Sequence, residues 1–352
     1  MAAIPQTPLD IGPRWLEKIL AASFPGTKVE SVRVDASSEG TNANALLRVT
    51  YAHTSKAPQS IFAKLPPTEA HQRALVLGSG MGQREVLFYR HLADRTPLRT
   101  PQVWGTALEE SDGSFAILIE DLCTSGYSFP DGAAGVGLSL AERAMEDLAT
   151  FHCTNYENDA LAFVLPPLRD PAYAGRMLKH ALATKPHRLE PAFASVAQIY
   201  IDSGEAVHDL WEAGDTVVTH GDGHLGNLYV EGDRLGFFDW GCFARAPAMR
   251  DVGYFLCMAL SIQDRRRHER ELIRRYLEQC RRLGFPALSF DAAFEAHRLQ
   301  ASYCVVAAAP AVLNPRAPGD PNGVYAGHFV ARASAAVKDL EVEALLRAKL
   351  DL

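Results

Sequence analysis

Apolar and polar positions in the first third of the chain recur mostly with a period of two. Residues 29–36 and 45–52 alternate, or run apolar with β-branched side chains. The turn formers of SSEGTNAN lie between them, a pattern that predicts a β-hairpin. SIFAKL, residues 60–65, predicts a third strand, ended by Pro66 and Pro67. PQVWGTALEE and GSFAILIEDL predict two further strands, joined by a turn at Asp112 and Gly113. A helical period breaks this run at residues 13–22 and again at 82–92, where Val86, Tyr89 and Arg90 share a face and Glu85 lies beside Tyr89.

Beyond residue 122 the period changes to that of a helix. Ala141, Met145, Leu148 and His152 share one face of a helix predicted over residues 138–153. Further helices fit residues 192–211, 249–262, 265–283, 290–309 and 330–349. Three short strands are expected at 217–219, 228–230 and 235–238. The pattern predicts an α+β protein divided into residues 1–122, an antiparallel sheet with a helix, and residues 123–352, larger and mainly helical.

Composition narrows the classes without naming one. The 352 residues are 47% hydrophobic and 22% charged, ordinary values for a globular chain. A formal net charge of −7 argues against a nucleic-acid-binding surface. The N-terminal segment lacks the basic start and apolar core of a signal peptide. The most apolar stretch, residues 303–313, is too short to span a bilayer and contains Pro310. The six cysteines show no CxxC pairing, the usage expected of reduced thiols in a cytoplasmic protein.

The chemistry is concentrated in VVTHGDGHLGNLYVEGDRLGFFDWG, residues 217–241. HGDGHLGN sits between two predicted strands, so it is a loop held at both ends, a usual place for reactive groups. Asp222 and Asn227 have the spacing of the kinase pattern H-R-D-x-x-x-x-N, in which the carboxylate faces the attacking hydroxyl and the amide oxygen binds magnesium. Asp239, in FFDWG, follows a hairpin, where a metal-binding carboxylate belongs in that pattern. Magnesium takes oxygen ligands and substrate phosphates, which suits one Asp and one Asn. A transition-metal site on His220, Asp222 and His224 is the competing reading; it leaves Asn227 and Asp239 without roles.

Lys64 on the third strand and Glu85 on the next helix follow the order of a phosphate-binding lysine and its carboxylate partner. The turn containing Gly40 would cover phosphates with backbone N–H groups, and backbone groups of Glu120 and Leu122, in the linker ILIEDL, would pair with adenine.

With these residues in place the sequence resembles the aminoglycoside phosphotransferase and choline kinase superfamily, including its ecdysteroid-kinase-like branches. HGDGHLGN, FFDWG and RDVGY (residues 250–254) carry the resemblance, with Lys64, Glu85 and IEDL in support. It implies a bilobal protein-kinase-like fold, with residues 1–122 as the nucleotide-binding lobe and linker and 123–352 as the catalytic and substrate-binding lobe. It implies ATP and Mg2+ as cofactors and a hydroxyl of a small molecule as acceptor. Carried over, Asp222 is the catalytic aspartate, Asn227 and Asp239 are metal ligands, and Lys64 and Glu85 are the phosphate lysine and its partner. His220, His224 and Asp251 support the loop, and His152 reads as a core histidine.

Gly221 stands where regulated protein kinases often carry an arginine that receives a phosphorylated activation loop, and GCFARAPAMR leaves little room for such a segment. Both features favour a small-molecule kinase. Residues 170–180 and 300–315 are the expected acceptor-lining segments. The second is apolar, with Tyr303 as a polar handle, and Arg265, Arg266, Arg267, Arg270, Arg274 and Arg275 are unlike the acidic pocket a polycation needs. A neutral or partly apolar alcohol is therefore expected. The alternatives are an aminoglycoside or other antibiotic phosphotransferase, a non-catalytic nucleotide-binding kinase fold, and a metal-dependent hydrolase.

Overall fold

The computed structural model describes residues 3–154, 161–286, 288–314 and 321–352, with side chains from residue 325 onward in the last segment. Pro315, the end of the second expected lining segment, lies outside the described residues. The chain divides into two compact units: Met1–Ser128 with Gly236–Phe243, and Phe129–Leu235 with Ala244–Leu352. The first break therefore falls after Ser128, six residues beyond the expected position, and the segment carrying Asp239 belongs to the first unit.

The first unit contains α1 (Pro13–Leu20), β1 (Val29–Glu39), β2 (Ala43–Tyr51), β3 (Ser60–Leu65), α2 (Ala70–Ser79), α3 (Met81–His91), β4 (Val103–Leu108) and β5 (Phe115–Glu120). Its five strands form an antiparallel sheet in the order β1-β2-β3-β5-β4. Trp15, Leu16 and Leu20 of α1 bury against Leu47, Ile61, Ala63 and Leu118 of the sheet. Helix α3 approaches Phe115 so closely that a Cβ on Gly82 would lie 2.0 Å from the ring, so only glycine fits there without repacking. The sequence reading missed α2. Pro66 and Pro67 read as the end of β3, yet Glu69 caps a helix just beyond them by accepting from the His71 and Gln72 amides.

The second unit contains α4 (Leu138–Thr154), α5 (Pro171–Thr184), α6 (Pro191–Glu212), β6 (Thr216–Thr219), β7 (Leu228–Glu231), β8 (Arg234–Phe237, whose last two residues fall in the first unit), β9 (Ala244–Pro247), α7 (Met249–Ala259), α8 (Ile262–Arg282), α9 (Phe290–Ala301), α10 (Tyr303–Leu313), α11 (Pro321–Asp339) and α12 (Val342–Leu350). Helix α7 is buried along its whole length, so its polar residues Arg250 and Asp251 need partners inside the protein. The helix expected over 290–309 divides at Ser302, whose hydroxyl takes the Trp211 indole N–H at 2.7 Å. The one expected over 330–349 divides where Glu341 turns left-handed (φ 51°).

No helix among the described residues is long and apolar enough to cross a membrane.

Candidate active site

Lys64 lies on β3, an interior strand, paired with Asn44 of β2 and Ile117 of β5. This placement puts it 6% exposed instead of at a solvated edge. Its Nζ donates to Glu85 Oε2 at 2.5 Å and to Asp239 Oδ1 at 2.7 Å. Burial works against the Lys64 charge, but Asp239 and Glu85 outweigh it and hold the ammonium's pKa above its ordinary value. Glu85 is 2% exposed. Burial, with repulsion from Asp239, pushes its carboxyl up to about 7 despite the neighbouring lysine.

Asp239 keeps 38% of its side chain exposed while binding Lys64. It holds φ 61° and ψ 69°, a left-handed conformation that a non-glycine residue adopts only where its surroundings impose it. The surroundings here are aromatic. Trp240 stacks on Phe88 of α3 with centroids 3.6 Å apart, and its indole N–H donates to the Phe237 carbonyl. The segment after β8 is thereby pinned to the helix that carries Glu85.

In the second unit the HGDGHLGN loop leaves β6, which pairs with β9. The short strand β9 was not anticipated: ARAP is too brief for an alternating pattern and ends in proline. Asp251, 2% exposed, fastens the loop from α7. Its Oδ2 accepts from the His220 amide at 2.7 Å and its Oδ1 from the Gly221 amide at 2.8 Å. His152 Nε2 lies 3.2 Å from the same carboxylate, and His152 Nδ1 lies 2.9 Å from the Tyr276 hydroxyl. Burial would raise the Asp251 pKa, but His152, His220 and the Gly221 amide hold it below the ordinary value. Gly221 has φ +81°, so the arginine of regulated protein kinases would be strained at this position.

Beyond this anchor, Asp222 presents a side chain that is 26% exposed. Its amide donates to His220 Nδ1 at 3.2 Å. Asn227 Nδ2 donates to both the Asp222 carbonyl (3.0 Å) and Asp222 Oδ2 (3.1 Å). Two acceptors on one side of the amide fix its orientation and make Oδ1 the side available to a cation. Asn227 in the second unit and the part-exposed Asp239 in the first each present side-chain oxygen, the kind of ligand that magnesium takes. Among the described residues no three His, Cys, Asp or Glu side chains group to hold a metal by themselves, which disfavours the transition-metal reading of His220, Asp222 and His224.

Residues 42–289 match the phosphotransferase enzyme family, APH. The chain belongs to this family. No curated protein sequence gives a significant match. Among solved structures, the choline kinase LicA from Streptococcus pneumoniae is similar with a TM-score of 0.51, 14% identity and coverage of 93% of this chain and 98% of that one. The GDP and kanamycin complex of APH(2")-IIia has a TM-score of 0.51 at 12% identity, covering 92% of this chain and 97% of that one. At these identities the likeness is one of fold, and it agrees with the five-stranded sheet and helical second part described above. The protein is a phosphotransferase of the APH family, with a protein-kinase-like fold.

Other expected positions of this APH chain have different surroundings. The exposed Gly40 donates its amide to the Asn42 carbonyl at 3.0 Å, and its own carbonyl accepts from Gln72. Its N–H therefore closes the hairpin and is not directed to a phosphate. The Glu120 amide is taken by the Gln102 carbonyl at 2.8 Å, and Leu122 is buried. Of the described residues 300–314, Cys304, Val305, Ala308, Ala309 and Val312 are core and do not form an open wall. The ring of Tyr303 is covered by the Arg250 guanidinium at 3.7 Å. Nor do the arginines of α8 make one solvated face. Arg265 is buried on Glu269 and Asp339, and Arg270 and Arg274 lie over the ring of Phe290.

The sequence reading missed Tyr325 and Phe329. The Tyr325 hydroxyl is 2.9 Å from His224 Nδ1, and the His224 ring meets Phe329 edge-on at 5.2 Å. Tyr254, from α7, meets the same imidazole edge-on at 6.2 Å. Its hydroxyl is buried with no partner among the described residues. The four-residue spacing of Tyr325 and Phe329 on one helix was the available signal.

Proposed function

We propose that this protein transfers the γ-phosphoryl group of ATP to a hydroxyl of a small, neutral or partly apolar molecule. The observation that carries the reading is the buried Lys64 clamped between Glu85 and Asp239, since a fixed cation of this kind serves phosphate oxygens. Magnesium-bound ATP supplies the phosphoryl group and the divalent charge. Lys64 holds phosphate oxygens, Glu85 holds Lys64, and Asp239 and Asn227 present oxygen ligands. Asp222 orients the acceptor hydroxyl. As the phosphorus–oxygen bond to ADP breaks and that to the acceptor forms, the hydroxyl proton passes to the Asp222 carboxylate. Positioning and charge stabilisation carry most of the rate in such transfers.

The neighbourhood of the Asp222 loop supports the acceptor class. His224 packs among Tyr254, Tyr325 and Phe329, and the part-exposed His224 and Tyr325 leave an imidazole and a hydroxyl there, where a polycation would call for carboxylates. The test is magnesium-dependent ADP release with aminoglycosides, macrolides, choline, sugars, homoserine, sterols and terpenoid alcohols, with Asp222→Ala as the blank. Stimulation by a neutral alcohol, absent in the variant, is expected. Stimulation by aminoglycosides alone would overturn the acceptor class, and failure to bind ATP would overturn the kinase reading.

Two further results are expected. Asp239→Ala should weaken binding of magnesium nucleotide about tenfold or more, as removal of a charged ligand does; titration with and without magnesium checks this. Activity should also fall on the acid side with a midpoint near pH 7, as Glu85 takes up a proton and releases Lys64. The linkage runs the other way for stability. A carboxyl whose folded pKa is raised favours the fold below its unfolded value near 4.5, and that contribution is lost as the pH rises through about 7. Activity should therefore drop below pH 7 without acid unfolding through this group. Glu85→Gln should be slower and lack that limb, and an unchanged limb would assign it to another residue.

A further inference from the structure

In the Asp222 loop, His224 and Gly226 are tied to each other and to α11. The Gly226 amide donates to His224 Nδ1 at 3.0 Å, and the Tyr325 hydroxyl lies 2.9 Å from the same nitrogen. The fit is close. A Cβ on Gly226 would lie 2.6 Å from the Tyr325 hydroxyl oxygen and 2.8 Å from His224 Cε1, so only glycine fits without moving either group. Phe329 and Tyr254 meet the imidazole edge-on, and its side chain is 17% exposed.

These contacts decide where the ring proton sits. A backbone N–H can only donate, so Nδ1 is an acceptor and carries no proton. Burial holds the pKa of Tyr325 above its ordinary value, so its hydroxyl keeps the proton that it offers to Nδ1. A ring turned over would set a C–H against both donors. The ring proton is therefore on Nε2, which lies 3.6 Å from Asp222 Oδ2. Asn227 Nδ2 reaches that same oxygen at 3.1 Å, so two N–H groups face one carboxylate oxygen. The His224 separation is longer than a formed hydrogen bond, and contacts of this kind commonly shorten once substrate is bound. With Nδ1 taken and Nε2 protonated, the imidazole has no lone pair for a proton or a metal ion. Its use to the loop is as a donor.

We propose that His224 is a positioning residue for the phosphotransfer: its Nε2–H steadies the Asp222 carboxylate at Oδ2, and Tyr325 and the Gly226 amide, both on Nδ1, aim it. A carboxylate faced by two N–H groups keeps one orientation toward the acceptor hydroxyl, and positioning of that kind carries rate in phosphoryl transfer. The role rests on the phosphotransfer reading, because it acts through Asp222; the place of the ring proton does not.

The test has two parts. In the whole protein carrying isotope-labelled histidine, without nucleotide, the ring hydrogen–nitrogen NMR correlations of His224, identified by their loss in His224→Gln, are expected to show the Nε2–H tautomer. Turnover is then read as magnesium-dependent ADP release with water as the phosphoryl acceptor; where water is too slow, the alcohol that stimulates release most takes its place. His224→Leu is expected to lower kcat about tenfold, the rate equivalent of one net hydrogen bond, with the KM for ATP within about twofold of the parent. If that variant does not fold, His224→Phe, which keeps a ring beside Phe329 and Tyr254, replaces it. His224→Gln, which keeps an N–H donor near the Nε2 position, should recover most of the loss. In the Asp222→Ala background His224→Leu should cost nothing further, since the two residues act as a unit. With a parent that releases ADP, an Nδ1–H tautomer, equal losses in His224→Leu and His224→Gln, or a full further loss in the Asp222→Ala background would each overturn the role of His224 alone. No ADP release from the parent with water or with any alcohol would overturn the phosphotransfer reading, and this role with it, whichever tautomer is found.

Discussion

Asp222→Ala is expected to lower turnover by roughly 10²–10⁴-fold, the usual worth of a positioned general base, while nucleotide affinity changes by less than about threefold. The separation follows from what the side chain touches. Lys64, Glu85 and Asp239 form their own ion-paired cluster in the first unit, and the substitution leaves it intact. Within the loop, Asn227 Nδ2 loses Asp222 Oδ2 but keeps the backbone carbonyl of residue 222, and both amides held by Asp251 remain bound. The melting temperature should therefore move little. Steady-state turnover with an identified acceptor, beside a nucleotide titration of the same variant, checks both halves. Normal turnover would remove Asp222 from the reaction. Equal losses of turnover and nucleotide affinity would give the residue a binding role instead.

How far this site was legible in the sequence depended on the range of its contacts. HGDGHLGN and FFDWG were readable because a loop between short strands and a hairpin set their spacing within 25 residues. Lys64 and Glu85 were placed by element order alone, since a lysine on the third strand and a glutamate on the next helix need no register to be named. The sheet order supplied what the pattern lacked: it made β3 interior and Lys64 buried. Contacts across long separations were not readable. Tyr325 reaches His224 over 101 positions; the four-residue spacing of Tyr325 and Phe329 gives them a common helix face but does not say what that face meets. Gly40 failed for a local reason. A glycine in a turn signals backbone freedom, but whether its N–H stays available depends on how the hairpin closes, and here Asn42 takes it. The apolar run from Tyr303 to Leu313 read as a pocket wall, whereas Cys304, Val305, Ala308, Ala309 and Val312 are core, because apolar character alone does not separate a lined cavity from a filled one.

Asp251→Ala is expected to cost about 2–6 kcal/mol of stability, since it removes the acceptor of two buried backbone N–H groups at about 1–3 kcal/mol each. One carboxylate holds two buried backbone amides and faces His152, which in turn touches Tyr276. Its removal leaves the His220 and Gly221 N–H groups without an acceptor in a region no water readily reaches. Gly221 is left-handed and has no side chain to restrain it, so the loop should loosen where it meets Asp222. Asp251→Asn separates charge from shape. An amide oxygen can still accept one of the two backbone bonds, but its NH2 group opposes the other, so an intermediate loss is expected. The charge also has a pH signature. Because the folded pKa is depressed, this carboxylate stabilises the fold above its unfolded value near 3.8 and loses that contribution as the pH falls through the lower folded value. Denaturant titrations at pH 7 and near pH 3 should show the gap between parent and Asp251→Asn narrowing with acid. A constant gap would mean that hydrogen-bond geometry, and not charge, anchors the loop. No loss in Asp251→Ala at pH 7 would show that the Asp222 loop is held by other contacts, such as the Thr219 hydroxyl on the Ala244 carbonyl.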